Sequence, residues 1–170
     1  LISARPAFEK AAELSYDKEI AEDALYNFAV ISFKLDFNPY DESVRAFELY
    51  IKTYPNSERK EDVLQYLVNV YNSTNHYEKA LKSIENIVNA DTKLKKVYQN
   101  VAYNYGVELF RKKSFSKAIE VLKKVKRYPL DLTIQSQAKF WIAESNLRMN
   151  NTKEAIHLYK KYIKNPSGSS

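Results

Sequence analysis

The chain has 170 residues, 45% of them apolar and 28% charged, with 2 glycines, 5 prolines and no cysteine. This balance permits long helices and a buried core, and the lack of cysteine excludes disulfides, thiolate metal sites and cysteine nucleophiles. The net charge of +6 is unevenly spread: residues 1–92 hold 10 Lys and Arg against 16 Asp and Glu, a net −6, and residues 93–170 hold 17 against 5, a net +12.

Apolar residues recur at three- and four-residue spacing, the mark of a helix face, in paired stretches that return about every 38 residues. The chain opens on half a copy with Ala4, Phe8 and Ala11. The first full copy has Leu25, Phe28 and Ala29, then Ser43, Phe47 and Tyr50. The second has Leu64, Leu67, Val68 and Tyr71, then Tyr77, Ala80, Ile84 and Ile87. The third has Ala102, Tyr105, Gly106 and Leu109, then Phe115, Ala118, Leu122 and Val125. The last has Ile142 and Ala143, then Ala155, Tyr159 and Tyr162. The small residues Ala4, Ser43, Ala80, Ala118 and Ala155 lie 39, 37, 38 and 37 positions apart. Such self-similarity predicts helix hairpins stacked as a solenoid. We expect one all-α domain over 1–165, with a half repeat over 1–16 and repeats over about 17–57, 58–92, 93–130 and 131–165. A flexible tail is expected over 166–170.

Helix starts are signalled where Asn75 precedes Glu78 and Asn151 precedes Glu154 by three, the spacing of a reciprocal cap. The small residues allow close approach within a hairpin, Ala80, Ala118 and Ala155 facing Val68, Gly106 and Ala143. A glycine inside a helix costs about 1 kcal/mol against alanine, and close packing at Gly106 is the expected compensation.

The order Leu-x-x-Leu-small-x-x-Tyr, then Tyr-x-x-Ala-x-x-x-apolar, resembles the tetratricopeptide repeat over nearly the whole chain. Phe47-x-x-Tyr50-x-x-x-Tyr54-Pro55-Asn56-Ser57 is similar to the variant found in bacterial outer-membrane assembly lipoproteins and Tol-Pal-associated periplasmic proteins. The resemblance implies a right-handed superhelix of antiparallel hairpins that binds proteins. This chain departs from the family pattern in its longer repeats, in the extended connection Lys34 to Tyr40, and in Ser43 where alanine is usual. The family's clamp for acidic C-termini needs converging lysine and arginine. Asn69 and Asn104 match it, but Gln65, Gln137 and Trp141 stand where basic residues are required, so no such clamp is expected.

Enzymatic constellations are missing. Acid pairs such as Asp41-Glu42 and Glu61-Asp62 fall at helix starts, where the macrodipole favours them, and there is no glycine-rich phosphate loop. His76 and His157 are 81 positions apart and share no site. No cofactor and no metal are expected. Nucleic acid is not the expected partner, because half of the chain is acidic and repels phosphate. No stretch reaches the roughly 18 apolar residues of a membrane span. The chain starts at Leu1 within a repeat and reads as an excised fragment or matured product. A preceding segment could hold a signal peptide or a lipid anchor for peripheral membrane association. Asn72-Ser73-Thr74 and Asn150-Asn151-Thr152 match the glycosylation triplet, which arises often by chance.

In such a superhelix the first helix of each repeat lines the concave face. Register places Asp23, Tyr26, Val30 and Phe33 there, then Asp62, Gln65, Asn69 and Asn72. Further on come Asn100, Tyr103, Val107 and Phe110, and last Phe140, Glu144, Leu147 and Arg148. This mixed polar and aromatic groove suits an extended peptide or a partner helix. The expected function is a non-catalytic scaffold for a protein or peptide partner of acidic character, in the assembly or coordination of a bacterial cell envelope, in the periplasm or at the outer membrane. The alternative is a structural self-assembly module, driven by the −6/+12 asymmetry and open repeat ends.

Overall fold

The structure is a computed structural model and describes residues 4–14, 16–35, 42–73, 76–87 and 90–164. The expected cap at Asn75, most of the connection after Lys34 and the tail over 166–170 lie outside the described residues. Among those described there are nine α-helices and no strand: α1 (Ala4–Leu14), α2 (Lys18–Leu35), α3 (Glu42–Thr53), α4 (Lys60–Ser73), α5 (Tyr77–Asn86), α6 (Thr92–Arg111), α7 (Phe115–Lys124), α8 (Leu132–Arg148) and α9 (Thr152–Lys164). A single 3-10 turn, Val125–Arg127, extends α7. The fold is the all-α hairpin array that the repeat predicts.

Strong caps sit at the starts of first helices. Asp17 Oδ1 accepts from the backbone N–H of Glu19 (2.9 Å) and Ile20 (3.3 Å) at the start of α2. Asp91 accepts from Leu94 (2.7 Å) at α6, and Asp131 from Thr133 (2.8 Å) and Ile134 (3.1 Å) at α8. Ser57 Oγ takes the Arg59 N–H (3.1 Å) just before α4. Each such bond stabilises its helix by about 1 kcal/mol. The expected Asn151–Glu154 cap is different in fact: the Asn151 amide donates back to Asn146 Oδ1 (3.3 Å), closing the preceding turn.

Two hairpins turn in the same way. At the end of α6 the Ser114 N–H reaches Leu109 O (2.8 Å) and the Lys113 N–H reaches Phe110 O (2.9 Å). At the end of α8 Asn151 reaches Asn146 O (2.9 Å) and Asn150 reaches Leu147 O (3.1 Å). This paired pattern needs a left-handed residue just past the helix, and Lys113 and Asn150 both take it at φ 61°. Asparagine tolerates that conformation; lysine is strained there.

The chain forms two compact units, one of Leu1–His76 with Asn86–Val88 and one of Tyr77–Glu85 with Asn89–Ser170. In the first, α1 packs on α2, α2 on α3 and α3 on α4, over fully buried Ala29, Phe47, Tyr50, Leu67 and Tyr71. In the second, α6 packs on α7 and α8, α7 on α8, and α8 on α9, over Leu94, Tyr98, Ala102, Leu122 and Ala143. The small positions Ser43, Ala80, Ala118 and Ala155 are all fully buried. Gly106 is explained by contact: a Cβ there would stand 2.4 Å from Leu122 Cγ and 2.6 Å from Leu122 Cδ2, one turn beyond Ala118.

One aromatic contact recurs between first helices. In the first unit Phe33 of α2 meets Tyr66 of α4 edge-on at 5.2 Å, and Tyr66 stacks on Phe47 at 5.1 Å. In the second unit Phe110 of α6 meets Trp141 of α8 at 4.9 Å and Phe115 of α7 at 5.4 Å.

Two substitutions test these points. Gly106→Ala should lower stability by roughly 1–2 kcal/mol, because overpacking against Leu122 outweighs the gain in helix propensity. Lys113→Gly should raise it by about 1 kcal/mol by relieving the left-handed strain. Urea midpoints of the two variants against the parent chain check both.

Candidate functional site

In the first unit, α4 carries Asp62, Gln65, Asn69 and Asn72 at spacings of three and four, which places them on one helix face. All are exposed. The Gln65 amide donates to Asn69 Oδ1 (3.2 Å), and this bond keeps the row aligned. On α2, Tyr26 and Phe33 are half-buried and Val30 is buried. Val30 therefore serves packing and presents little to a partner, which corrects its expected place in the groove; Val107, at the same register in α6, is buried in the same way. The Arg59 guanidinium lies 4.8 Å from the centre of the Tyr26 ring and donates to Asp23 Oδ1 (2.7 Å).

In the second unit, Asn100, Tyr103, Phe110, Phe140 and Glu144 are half-buried, and Leu147 and Arg148 exposed. Trp141, not among the expected groove residues, donates its indole N–H to the Tyr103 hydroxyl (3.2 Å). Tyr103 keeps its own proton for an outside acceptor. Phe140 turns toward α9, with ring centres 5.4 Å from Tyr162 and 6.1 Å from Tyr159. Glu144 accepts a short hydrogen bond from Tyr159. These two residues are committed to their own hairpin.

A second feature of the first unit was not visible in the repeat pattern. The Glu22 carboxylate accepts from the Ser57 hydroxyl (2.5 Å) and from the buried Tyr50 hydroxyl (2.7 Å), and the two hydroxyls stand 2.7 Å apart. Beside this cluster a cavity of about 390 Å³ is lined by Glu19, Glu22, Asp23, Asn56, Ser57, Glu58 and Arg59. Hydrogen bonds from Ser57 first, then Tyr50, hold the Glu22 carboxyl below its ordinary range despite partial burial. Burial, reinforced by the bond to Glu22, pushes the Tyr50 hydroxyl up to about 12.

The second unit repeats the logic with other residues. Glu85 accepts from the Tyr98 hydroxyl (2.5 Å) and Lys124 Nζ (3.2 Å), with Arg127 at 3.5 Å. Burial alone would raise the Glu85 carboxyl, but Tyr98, Lys124 and Arg127 outweigh it and hold it low. Burial of Tyr159, with Glu144 beside it, pushes that hydroxyl up to about 12. Gln99, in the register of Glu22, is fully buried and grips the backbone of Asp131 at both ends: its amide donates to Asp131 O (2.9 Å), and its carbonyl accepts the Asp131 N–H (2.8 Å).

These clusters bond hydroxyls and amides to carboxylates and to backbone. Ser57 has a carboxylate partner but no imidazole to take its proton during attack on a substrate, so the triad logic is not met. Among the described residues no group of three or more His, Cys, Asp and Glu could hold a metal ion, and no helix is long and apolar enough to cross a membrane.

A family model for the tetratricopeptide repeat matches residues 23–57 and again residues 137–167. These matches support a tetratricopeptide repeat protein. The two segments take in α3 and α9 with most or part of the first helices before them, one segment in each unit. No curated protein and no solved structure matches the chain. Tetratricopeptide repeats generally mediate protein–protein interaction, and the exposed first-helix faces agree with that use.

Burial of the tyrosine hydroxyls, reinforced by their carboxylate partners, sets a pH dependence. Tyr50 and Tyr159 have raised values in the folded chain, so the folded state keeps protons that the unfolded state releases. Their stabilisation is complete below the ordinary tyrosine value near 10 and is lost as pH rises toward 12. Thermal melting should fall steeply over that interval. Tyr50→Phe should cost about 1.5–3 kcal/mol at neutral pH, the worth of a hydrogen bond to a charged group, and should flatten the alkaline fall.

Proposed function

We propose that this chain is a non-catalytic scaffold whose first-helix faces bind an extended segment of a partner protein. The observation that carries this reading is the exposed amide row Gln65, Asn69 and Asn72 on α4. An amide donates and accepts at once, so an uncharged row of them matches the alternating N–H and C=O groups of an extended backbone. Tyr26 and Phe33, half-buried on the neighbouring α2, offer apolar area at low entropic cost. Tyr103, Asn100 and Arg148 play the corresponding part in the second unit.

The partner is a protein or peptide of acidic character, in keeping with the net +12 of residues 93–170. We place the scaffold in assembly or coordination of a bacterial cell envelope, periplasmic or attached to the outer membrane, on the resemblance carried by Tyr54-Pro55-Asn56-Ser57. Fractionation tests the location: recovery of the intact protein from cytosol alone removes the envelope role.

The binding role is tested with a Tyr26→Ala, Gln65→Ala, Asn69→Ala variant whose helicity by circular dichroism equals that of the parent. Partners are cross-linked from solubilised envelope, identified, and titrated as purified proteins. The variant should bind the specific partner at least tenfold more weakly, a loss of about 1.4 kcal/mol. Equal affinity moves the interface off these faces.

A further inference from the structure

The last helix exposes a face that nothing in the described chain covers. Only Ala155 of α9 is buried; Tyr159 and Tyr162 turn inward to Phe140. Ile156 and Ile163 are 49% and 72% exposed, and helical spacing puts them in one stripe with Lys153, Lys160 and Lys164. Those lysines have no carboxylate partner among the described residues. Residues 152–164 carry 4 Lys against 1 Glu, a net +3.

The opposite chemistry lies on the first unit. Residues 1–23 carry 6 acids against 3 bases, a net −3. Around the turn from α1 to α2, Leu14 and Ile20 are 69% and 56% exposed and Tyr16 is fully exposed. Beside Ile20 opens the cavity of about 390 Å³ whose walls include Glu19, Glu22, Asp23 and Glu58. Its one cation, Arg59, is taken by Asp23 at 2.7 Å, and Glu22 is taken by Ser57 and Tyr50. Glu19 and Glu58 are exposed and have no cation partner among the described residues. The cavity is thus short of positive charge, and its volume exceeds that of a lysine side chain.

We infer that two copies of this chain associate head to tail, the outer face of α9 in one copy docking on the acidic α1–α2 end and cavity of the next. Each face pairs exposed aliphatic side chains with unpartnered charge, and the two signs are opposite. The contact uses different surfaces on the two copies, so it leaves one of each kind free and adds further copies, as a closed ring or an open series. It is independent of peptide binding along the first-helix faces.

The test is sedimentation velocity of the parent chain over a concentration series, in about 0.02 M and about 0.5 M salt, which shortens the reach of charge several-fold. The expected result is concentration-dependent growth at low salt that falls by an order of magnitude or more in association constant at high salt. A tail variant, Lys160→Glu with Lys164→Glu, and a head variant, Glu19→Lys with Glu58→Lys, should each be monomeric and fully helical. Mixed, they should associate again, because the intact tail of one variant meets the intact head of the other and the two charge-reversed faces are complementary in turn. A parent chain that stays monomeric at low salt up to its solubility limit overturns the inference. So does self-association unchanged in either variant. Vesicles of phosphatidylserine supply the remaining arm: a monomeric parent whose α9 binds them, with binding lost in the tail variant, assigns the face to an anionic membrane instead.

Discussion

Close approach of the two helices within each hairpin is the constraint on which the rest of the structure depends. Ala118 and Ala155 have no exposed surface, and at Gly106 even a methyl group would collide with Leu122. When backbones lie that near, ridges of larger side chains on either side must interlock at fixed depth. The tyrosines of the repeat take those flanking positions. Tyr50, Tyr71 and Tyr98 are fully buried, yet each hydroxyl must find a partner, since an unpaired buried hydroxyl costs more than the bond returns. Glutamates supply the acceptors: Glu22 for Tyr50, Glu48 for Tyr71 and Glu85 for Tyr98. Tight helix contact, large aromatic cores and carboxylate acceptors form one dependent series.

The Tyr54-Pro55-Asn56-Ser57 segment has a structural explanation in the same terms. Tyr54 packs its ring on Tyr50 at 5.4 Å, and the proline cannot continue α3. Ser57 then serves twice, donating to Glu22 and accepting the Arg59 N–H ahead of α4. In the second unit Tyr128 packs on Tyr98 at 5.2 Å, Pro129 follows, and Asp131 caps α8 while Gln99 holds its backbone. A residue at one register of the first helix, Glu22 or Gln99, fastens the start of the next repeat. The motif is a joint between repeats, and its partner-binding consequences are indirect: it fixes where the next first helix begins.

Period and packing were legible in the amino-acid order because they obey a repeating spatial rule. The hairpins, the buried small residues and the reason for Gly106 follow from spacing alone. Caps were read less well. The capping spacing Asn-x-x-Glu stands before second helices, while the structure uses Asp17, Asp91 and Asp131 before first helices, where a lone aspartate suffices and leaves no second residue as a signal. Of the positions that register assigns to the concave face, Gln65, Asn69 and Asn72 are exposed on one face of α4. Val30 could not be distinguished from them, since burial depends on the angle at which α2 meets its neighbours. Trp141 and Phe140 are adjacent in sequence and face different helices, and a rotation of one residue decides which of them touches α6.

Selection on such an array acts differently on its two kinds of surface. A buried position such as Leu122 is fixed by several neighbours at once, and a change there is felt as lost stability. An exposed position such as Asn69 is fixed by one neighbour, Gln65, and can change with little effect on the fold. Specificity is therefore free to evolve on the first-helix faces while the hairpin contacts hold them in place. The charge difference between the two parts of the chain belongs to the second kind of surface. Packing does not require Lys153, Lys160 and Lys164 of α9 or Glu19 after the α1–α2 turn: these side chains are exposed, and none of the core contacts described involves them. Isolated exposed charges add little to stability. A sustained separation of sign at the two ends, against so weak an energetic reason, is the arrangement expected of surfaces that meet something charged.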